Sequence, residues 1–447
     1  MTKNPLPDAQ RPAPLNLSTW LERIERLHAK PIDLGLDRVR RVADRLGFRL
    51  EVPTIIVGGT NGKGSTCAML DSMLRAAGYR VGLYTSPHLL RFNERARING
   101  TDADDDALIA QFEAVEQARG GITLTYFEYT TLAILRLFSQ SKLDAAVLEV
   151  GLGGRLDAVN IVDADVSIVT SVAIDHVDYL GATRELIGSE KAHIFRAGRP
   201  AICSDPEPPQ SLLDHALVIN ADLWRFGRDF NYQGDRQQWA YAGRHLRRAS
   251  LPYPALRGAN QLLNASGALA ALEALASTLP VSQQAVRQGL LTVQLPARFQ
   301  LLPGKPTIVL DVAHNPHAAA VLAENLDMMG FYPCTHAVFG MLNDKDIGGV
   351  VTRVGDRVDH WYVGSTTGAR GAPADSLARQ IRTVMPAASI TEHATVAAAF
   401  ASARERAKAD DRILTFGSFV SVAEVMRTIA ETSGAEQSIA SHAAPSH

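Results

Sequence analysis

The hydrophobic residues of this chain form short continuous runs that alternate with longer stretches of helical spacing. Residues 54–58, 81–84, 145–150 and 166–170 are apolar runs of the first kind, and a second series of runs begins at residue 307. Continuous apolar runs of this length predict strands that are buried on both faces. Their alternation with helical segments predicts an α/β protein with largely parallel sheets between layers of helices.

The pattern divides the chain into two domains and two tails. We predict one α/β domain over residues 17–296 and a smaller one over residues 297–432. The proline-rich residues 1–16 and the Ser-, Ala- and His-rich residues 433–447 are predicted to be flexible or disordered. Residues 217–251 are rich in Trp, Tyr, Arg and Gln with short alternation, which predicts a small antiparallel excursion.

Capping residues locate the predicted helices. Ser18 is the expected N-cap of a helix over residues 17–28, and Gly47 is expected to end a helix that begins at Asp37. Periodicity predicts further helices over residues 67–78, 107–118, 125–139, 261–275 and 282–292, and a last helix that opens at Gly417-Ser418-Phe419.

Composition narrows the class of protein. The 447 residues are 46% hydrophobic and 21% charged, and the net charge of −2 gives no electrostatic case for nucleic acid or an anionic membrane as partner. Three widely separated cysteines indicate neither a disulfide framework nor a thiolate metal site. There is no apolar run near the roughly 18 residues that span a bilayer, and we expect a soluble cytoplasmic protein.

The most informative segment is a glycine-rich turn between a predicted strand and a predicted helix. Residues 57–66 read Val-Gly-Gly-Thr-Asn-Gly-Lys-Gly-Ser-Thr. Glycines let backbone N–H groups converge on a phosphate, Lys63 can reach the β- and γ-phosphates, and a following hydroxyl can bind Mg²⁺. The match to G-x-x-x-x-G-K-[ST] is imperfect, because Val57 replaces the first glycine and Gly64 displaces the hydroxyl to Ser65. We interpret the turn as a nucleoside triphosphate site rather than a structural turn.

Polar residues at the ends of the other strands point to the same edge of the sheet. Ser86, Glu149, Asp175 and His176 each follow or end an apolar run. A carboxylate inside Val-Leu-Glu-Val is costly to bury unpaired, and a divalent ion would remove that cost. His176 can be a core histidine or a metal ligand, and its neighbours favour the ligand. Lys191, judged locally, is an ordinary helical lysine.

The second domain contributes residues at the domain junction. Arg298, Asp311 and His314 lie near the first strand of the second series. Ligands of open α/β sheets bind at the carboxyl ends of the strands. These positions therefore predict a nucleotide held between two domains, whose closure would exclude water from a reactive intermediate.

A set of motifs in this order resembles the folylpolyglutamate synthase/dihydrofolate synthase family, ATP-dependent amide ligases related to the Mur ligases. The resemblance covers about residues 17–432. It is carried by Gly-Thr-Asn-Gly-Lys-Gly-Ser (59–65), Thr-Ser-Pro-His-Leu (85–89), Leu-Glu-Val-Gly-Leu-Gly-Gly-Arg-Leu-Asp-Ala-Val-Asn (148–160), Asp-His (175–176), Glu-Lys-Ala (190–192), Gly-Ala-Asn-Gln (258–261), Ala-Arg-Phe-Gln (297–300) and Asp-Val-Ala-His-Asn-Pro-His (311–317).

The resemblance implies a fold, a reaction and a set of site residues. The fold is a P-loop, Mur-ligase-type central domain followed by a Rossmann-like domain. ATP would phosphorylate a pterin-linked carboxylate, and the amine of L-glutamate would attack the acyl phosphate, with His314 as a candidate base. The implied ATP ligands are Thr60, Asn61, Gly62, Lys63, Gly64, Ser65, Asn260, Arg298 and Asp311. Two Mg²⁺ ions are implied on Ser86, Glu149, His176 and a carbamylated Lys191. Pterin contacts are implied for Thr125, Tyr126, Phe127, Glu128, Leu156, Asp157 and Ala158.

The implied partners are small molecules: dihydropteroate, folates, L-glutamate and ATP, with a monomer as the expected state. Two alternatives stay open. A Mur-type ligase of UDP-linked sugar peptides would need a further N-terminal domain of roughly a hundred residues, and only about fifty residues precede the phosphate loop. A P-loop switch protein would not require Glu149, His176 and His314.

Overall fold

The computed structural model describes residues 15–235 and 237–442, with side chains as far as residue 432. Most of the predicted N-terminal tail, residues 1–14, and the last five residues lie outside the described part of the chain. The described residues form two α/β units, which confirms the predicted fold class.

The first unit is built on an eight-stranded sheet with the order β4-β3-β2-β5-β1-β6-β7-β8. Strands β2, β5, β1, β6, β7 and β8 run parallel, and β3 and β4 add an antiparallel edge. The strands are β1 (Thr54–Gly58), β2 (Val81–Tyr84), β3 (Ala96–Ile98), β4 (Thr101–Asp102), β5 (Ala145–Glu149), β6 (Val166–Val169), β7 (Pro200–Cys203) and β8 (Asp222–Arg225).

Helices cover both faces of this sheet, and two separate hydrophobic cores result. One core includes α1 (Leu17–Glu25), α2 (Asp37–Leu46), α4 (Asp105–Arg119), α5 (Tyr126–Ser139), α7 (Arg184–Ala192) and α8 (Gln210–Val218). The other includes α3 (Lys63–Ala76), α9 (Gln261–Ala274) and α10 (Gln283–Thr292). A single turn, α6 (Val177–Leu180), follows β6.

The predicted antiparallel excursion is smaller than expected. Its first part is the end of α8 and strand β8, which joins the main sheet in parallel. Only β9 (Asn231–Gly234), β10 (Trp239–Ala242) and β11 (Arg247–Leu251) form a three-stranded antiparallel sheet. Trp239 and Tyr241 bury its inner face against the second core.

The second unit is a six-stranded sheet with the order β12-β13-β17-β14-β15-β16, parallel except for β12. Its strands are β12 (Gln300–Leu302), β13 (Thr307–Leu310), β14 (Thr335–Phe339), β15 (His360–Gly364), β16 (Ser389–His393) and β17 (Arg412–Phe416). Its helices are α11 (Pro316–Met328), α12 (Ile347–Val354), α13 (Ala374–Val384), α14 (Val396–Arg406) and α15 (Phe419–His442). Because the chain passes once between the two units, we propose the domain boundary between Pro296 and Ala297.

Several local features differ from the prediction. The N-cap of α1 is Asn16, whose side chain accepts from Thr19 N, because Ser18 already lies inside the helix. Strands β12 and β16, which are only partly buried, were not predicted. Helix α15 is described as far as His442, within the stretch 433–447 that the sequence predicts to be a disordered tail. Alanine, glutamate and glutamine in that stretch are good helix formers, which the low-complexity composition concealed.

Helix α3, which begins at the phosphate loop, packs closely on α10. A Cβ added at Gly289 would lie 2.6 Å from the Cα of Met73 and 2.7 Å from its backbone N. Only a glycine lets the two backbones approach this far. The position of the phosphate loop's helix therefore depends on a contact more than two hundred residues away in sequence.

We predict that Gly289→Ala destabilises the protein by about 1–3 kcal/mol, because the added methyl overpacks the contact between α3 and α10. Equilibrium denaturation of the full chain measures this effect. Gly35→Ala is the matched control, since a Cβ at Gly35 meets nothing within 4 Å. Equal unfolding free energies for the two variants would contradict the proposed packing constraint.

Candidate active site

The phosphate loop joins β1 to α3 and is confined from two sides. A Cβ at Gly59 would lie 1.9 Å from Thr170 Oγ1, and one at Gly62 would lie 2.5 Å from Asn264 Oδ1. Both glycines also have positive φ angles, of 141° and 86°. The loop therefore needs glycine at both positions for space and for backbone conformation.

Two lysines converge on one carbonyl of the loop. Lys63 Nζ donates to Gly59 O and Thr60 O, each at 3.1 Å, and Lys191 Nζ donates to Gly59 O at 3.0 Å. Burial, and next the charge of Lys63, lowers the pKa of Lys191 to about 7. Lys191 is thus not the exposed helical lysine that local sequence suggests, because α7 directs it under the loop.

The other polar residues of the loop are held in place by neighbouring elements. Thr60 Oγ1 and Ala173 exchange two hydrogen bonds, at 3.1 and 3.0 Å. Ser65 is buried in the first turn of α3, with Gln261 Nε2 3.5 Å from its Oγ. Asn260 occupies the N-cap position of α9 without a side-chain capping bond. Its amide is therefore not committed to the helix end.

Glu149 ends strand β5 beside the phosphate loop. The strand register pairs Glu149 with Val57 of β1, which explains why the two segments meet. The carboxylate is 4% exposed and accepts a hydrogen bond from Ser86 N at 3.1 Å. Burial raises its pKa, and the positive charges of Lys63 and Arg298 oppose that shift. A Cβ at Gly64 would lie 3.9 Å from Glu149 Oε1, so the carboxylate faces the loop.

Asp175, after β6, receives groups from the second domain. Lys345 Nζ lies 2.6 Å from Asp175 Oδ1, Asn315 Nδ2 donates to Oδ2 at 3.1 Å, and His314 Nε2 lies 3.7 Å from Oδ2. Although burial acts to raise the pKa of Asp175, the charges that His176, Lys345 and His314 carry at acidic pH hold it well below its usual range. Near neutral pH, where the two histidines are uncharged, Lys345 supplies the positive charge beside this carboxylate. This carboxylate is the main electrostatic contact between the two domains.

Two of the histidines that line the cleft, His176 and His314, are held in neutral form. Burial lowers the pKa of both His176 and His314 to about 4. His314 Nδ1 lies 2.8 Å from Val312 O, so a proton on Nδ1 leaves the lone pair on Nε2. His176 has φ 52° and its Nε2 lies 3.3 Å from Lys345 Nζ. A neutral imidazole can bind a metal or accept a proton.

A second interdomain contact involves Asn61 of the phosphate loop. Asn61 and Asn315 exchange side-chain hydrogen bonds of 3.4 and 3.1 Å, and Asn61 Nδ2 lies 2.9 Å from His317 Nδ1. The phosphate loop therefore touches the second domain directly.

Arg298 lies at the junction itself. It is flanked by Ala297 and Phe299, which have φ angles of 59° and 45°, and its guanidinium carbon lies 5.0 Å from the centre of the Phe419 ring. The carboxylate of Asp311 accepts from Phe299 N at 2.8 Å and from Ala313 N at 2.7 Å. Asp311 thus fixes the two turns on which Arg298 and His314 stand.

The predicted pterin segment is mostly occupied by structural contacts. Thr125 and Glu128 form a capping box at the start of α5, and Arg38 donates to Glu128 Oε1 at 2.8 Å. Tyr126 packs beneath Arg95, whose guanidinium carbon is 5.5 Å from the ring centre. Phe127 approaches the cleft, because a Cβ at Gly151 would lie 2.4 Å from its ring.

Asp157 organises the neighbouring loop. It accepts from Leu152 N at 2.8 Å and Val159 N at 3.0 Å, and burial raises its pKa to about 6. Leu156 and Ala158 flank it. None of the residues 125–128 and 156–158 is among those that line the cleft, but Phe127 touches Gly151 and Asp157 accepts from Leu152 N, and both Gly151 and Leu152 line it.

The cleft between the two domains has a volume of about 1140 Å³. It brings together the predicted ATP and metal residues: Thr60, Asn61, Gly62, Lys63, Gly64, Ser65, Ser86, Glu149, His176, Lys191, Asn260, Arg298, Asp311 and His314. Sequence reasoning missed Lys345 and Asn315 as site residues. The polar turn Asn343-Asp344-Lys345-Asp346 is the one sequence feature that could have indicated Lys345. Asn315 could have been selected from the motif Asp-Val-Ala-His-Asn-Pro-His (311–317).

Both α/β domains match family models of the Mur ligases, which gives the class of protein. The Mur ligase middle domain matches residues 57–272, and the Mur ligase glutamate ligase domain matches residues 297–419. A dihydrofolate synthase/folylpolyglutamate synthase of Escherichia coli K12 is 47% identical over 414 residues, which are 92% of this chain and 95% of the relative. This chain belongs to the dihydrofolate synthase/folylpolyglutamate synthase family.

Solved structures agree with that assignment. E. coli FolC in complex with DHPP and ADP has a TM-score of 0.89 and 46% identity, covering 94% of this chain and 98% of that one. A bifunctional folylpolyglutamate synthase/dihydrofolate synthase with Mn, AMPPNP and L-glutamate bound has a TM-score of 0.86 and 43% identity, covering 93% and 98%. Among the described helices, none combines the length and apolar character of a membrane span.

We predict that Lys345→Met lowers ligation by one to two powers of ten. The change removes a charged contact worth about 1.5–3 kcal/mol and leaves Asp175 buried without its cation. Small-angle scattering should show a more open protein. Lys305→Met is the control, because Lys305 and Asp410 form an exposed pair 3.6 Å apart. A Lys345→Met enzyme as compact and as active as the control would contradict this role.

Proposed function

We propose that this chain is an ATP-dependent ligase that joins L-glutamate to dihydropteroate and to reduced folates through an acyl phosphate. The observation that carries the proposal is the meeting of Lys63, Glu149 and the Asp175–His314–Lys345 cluster in one interdomain cleft. The family supports both acceptors, since the relatives above carry both activities in their names. The predicted ATP and metal residues of a single chain meet in one cleft, and on that ground we propose action as a monomer.

The phosphate loop would bind ATP with its backbone N–H groups and with Lys63. In this structure Lys63 donates to two loop carbonyls. A triphosphate offers a stronger, charged acceptor, so we expect Lys63 to turn from those carbonyls to the β- and γ-phosphates. Arg298, across from Gly64, would add a second cation. Together they stabilise the negative charge that spreads over the γ-phosphoryl group during transfer to the substrate carboxylate.

Ser86, Glu149, His176 and Lys191 would hold Mg²⁺. The residues fit: the structure gives the Glu149 carboxylate one described hydrogen bond, from Ser86 N, and His176 is neutral. When bound, the metal supplies a Lewis acid for phosphate oxygens. A pKa of about 7 leaves much of Lys191 as the neutral amine that reacts with CO₂. The resulting carbamate would add an anionic oxygen of the kind that hard cations bind.

His314 would take the proton that the neutral amine of glutamate loses as its nitrogen bonds to the acyl carbon and phosphate leaves. Its Nε2 faces Asp175, which can stabilise the imidazolium once the proton has arrived. Lys345 and Asn315 hold that carboxylate in place. These residues come from the second domain, so proton transfer requires a closed cleft.

The pterin would lie against Gly151 and Phe127, where the ring can stack. Asp157 remains the proposed partner of the pterin amino group. Its two oxygens already accept backbone N–H groups, yet each keeps acceptor capacity for a further bond. Thr125, Tyr126, Glu128, Leu156 and Ala158 would shape this pocket from behind.

The direct test follows phosphate release and amide formation in the purified enzyme. We expect both products only when ATP, L-glutamate and an acceptor are all present, with dihydropteroate and a reduced folate each tested alone. Lys63→Ala should abolish turnover without changing the unfolding temperature. Phosphate release that needs no pterin acid would instead favour an ATP-binding switch protein. Activity with only one acceptor would restrict the enzyme to one of the two steps.

A separate prediction concerns the metal. Glu149→Gln keeps the shape of the side chain and removes its charge, so half-maximal activity should need a much higher Mg²⁺ concentration. Lys191→Ala should lose activity in the same assay and recover part of it with added acetate, which replaces the carbamate oxygens. An unchanged Mg²⁺ titration of Glu149→Gln would remove this residue from the ligand set.

A further inference from the structure

Three side chains of metal-ligand type meet at the amino-terminal edge of the second sheet, away from the cleft. Cys334 and His336 lie at the start of β14, and Asp411 directly precedes β17. One ligand atom from each lies within 4.8 Å of the other two. His336 and Asp411 are 3% and 5% exposed, whereas Cys334 is half-buried. The cluster is therefore largely enclosed but open to solvent at the thiol.

The strand register produces this arrangement. Strands β14 and β17 are parallel neighbours, with Thr335 opposite Arg412, and Arg412 N donates to Cys334 O at 2.9 Å. Asp411 lies 75 residues after His336 in the sequence, and still further from Cys334. Linear spacing therefore gave no sign of a site that contains a thiolate.

The distance between His336 and Asp411 fits shared coordination better than a direct hydrogen bond. Nε2 of His336 lies 3.4 Å from Asp411 Oδ2. An N–H···O bond is normally about 2.7–3.2 Å long. Two ligands on a tetrahedral zinc ion, with bonds of about 2.0–2.2 Å, lie roughly 3.3–3.5 Å apart. The two groups already stand at that separation.

Neighbouring residues hold the ligands in the necessary orientation. His336 Nδ1 lies 3.0 Å from the hydroxyl of Tyr362, and a proton on Nδ1 would leave the Nε2 lone pair directed at Asp411. Asp411 Oδ2 accepts from Lys408 N at 2.7 Å. Such outer contacts are typical of histidine and carboxylate ligands. Burial, followed by the charges of Asp359 and Asp411, raises the pKa of Cys334 to about 11.

We propose that Cys334 Sγ, His336 Nε2 and the Asp411 carboxylate bind a divalent ion of the zinc class, with water as the fourth ligand. Binding replaces the thiol proton, which leaves to solvent, with a metal–sulfur bond. Thiolate and imidazole together select zinc-like ions over Mg²⁺. Because the site joins the starts of β14 and β17, it would stabilise the second domain and take no part in ligation.

Cobalt(II) tests this assignment in the full-length, chelator-treated protein. Excess Mg²⁺ occupies the proposed catalytic metal site during the titration. We expect one equivalent of Co²⁺ to produce a thiolate-to-cobalt charge-transfer band that one equivalent of Zn²⁺ abolishes. The lining of the cleft contains no cysteine among the described residues, so this band cannot come from that site. Absence of the band from the folded wild-type protein would overturn the proposal.

Variants assign the ligands. Cys334→Ser should lose the band, whereas Cys203→Ala should keep it, because Cys203 is buried in β7. Tyr362→Phe removes only the hydroxyl next to His336 and should weaken cobalt binding by about 10–100-fold. A band that persists in Cys334→Ser would refute the assigned ligand.

Thiol reactivity provides a second measurement that needs no variant. Cys67 and Cys203 are buried and Cys334 is partly exposed, so a thiol reagent should modify one cysteine in the native protein. One equivalent of Zn²⁺ should slow this modification strongly in the presence of Mg²⁺. An unchanged modification rate would contradict metal binding at Cys334.

Discussion

The buried carboxylate of Asp175 is the electrostatic contact on which the arrangement of the two domains depends. It belongs to the first domain, but Lys345, Asn315 and His314 all belong to the second. A buried carboxylate without a cation is strongly unfavourable. In the observed arrangement Lys345 of the second domain supplies that cation, so the docked position of the two domains removes the cost of burying this charge. The same contact keeps Nε2 of His314 facing Asp175, 3.7 Å from Oδ2.

Many residues of this site could be predicted from the sequence, because the pattern that indicates each of them lies in its immediate neighbours. Glu149 and His176 stand next to apolar runs that define their strands, and parallel strands carry such residues to one edge. Lys345 was not predictable in that way. It lies in a polar turn of the second domain, and only the docking of one domain on the other places it beside Asp175. Asn16 and Ser18 show the limit of local reasoning, since both are good N-cap residues two positions apart and the sequence alone does not choose between them.

The polar residues in and around the cleft divide into two groups by their hydrogen bonds. Thr125, Glu128 and Asp311 satisfy backbone or side-chain groups of their own segments and thereby shape the loops around the cleft. The side chains of Glu149 and His176 have hydrogen-bonding and metal-binding capacity that their own segments do not use. A family motif contains residues of both groups, because the site needs both in order to form. The motif alone therefore does not tell a residue that shapes the loops from one that can bind a ligand.

The position of Arg298 has a kinetic consequence. The chain crosses between the domains once, and Arg298 stands at that crossing between two residues with left-handed backbone conformations, facing both Gly64 and the Phe419 ring. On the proposed mechanism, a nucleotide bound to Arg298 would restrain the segment that joins the two domains. His314, the proposed base for the incoming amine, would reach its place only after the nucleotide has bound. Such an enzyme has a compulsory order of addition, in which the nucleotide leads and the amino acid enters last.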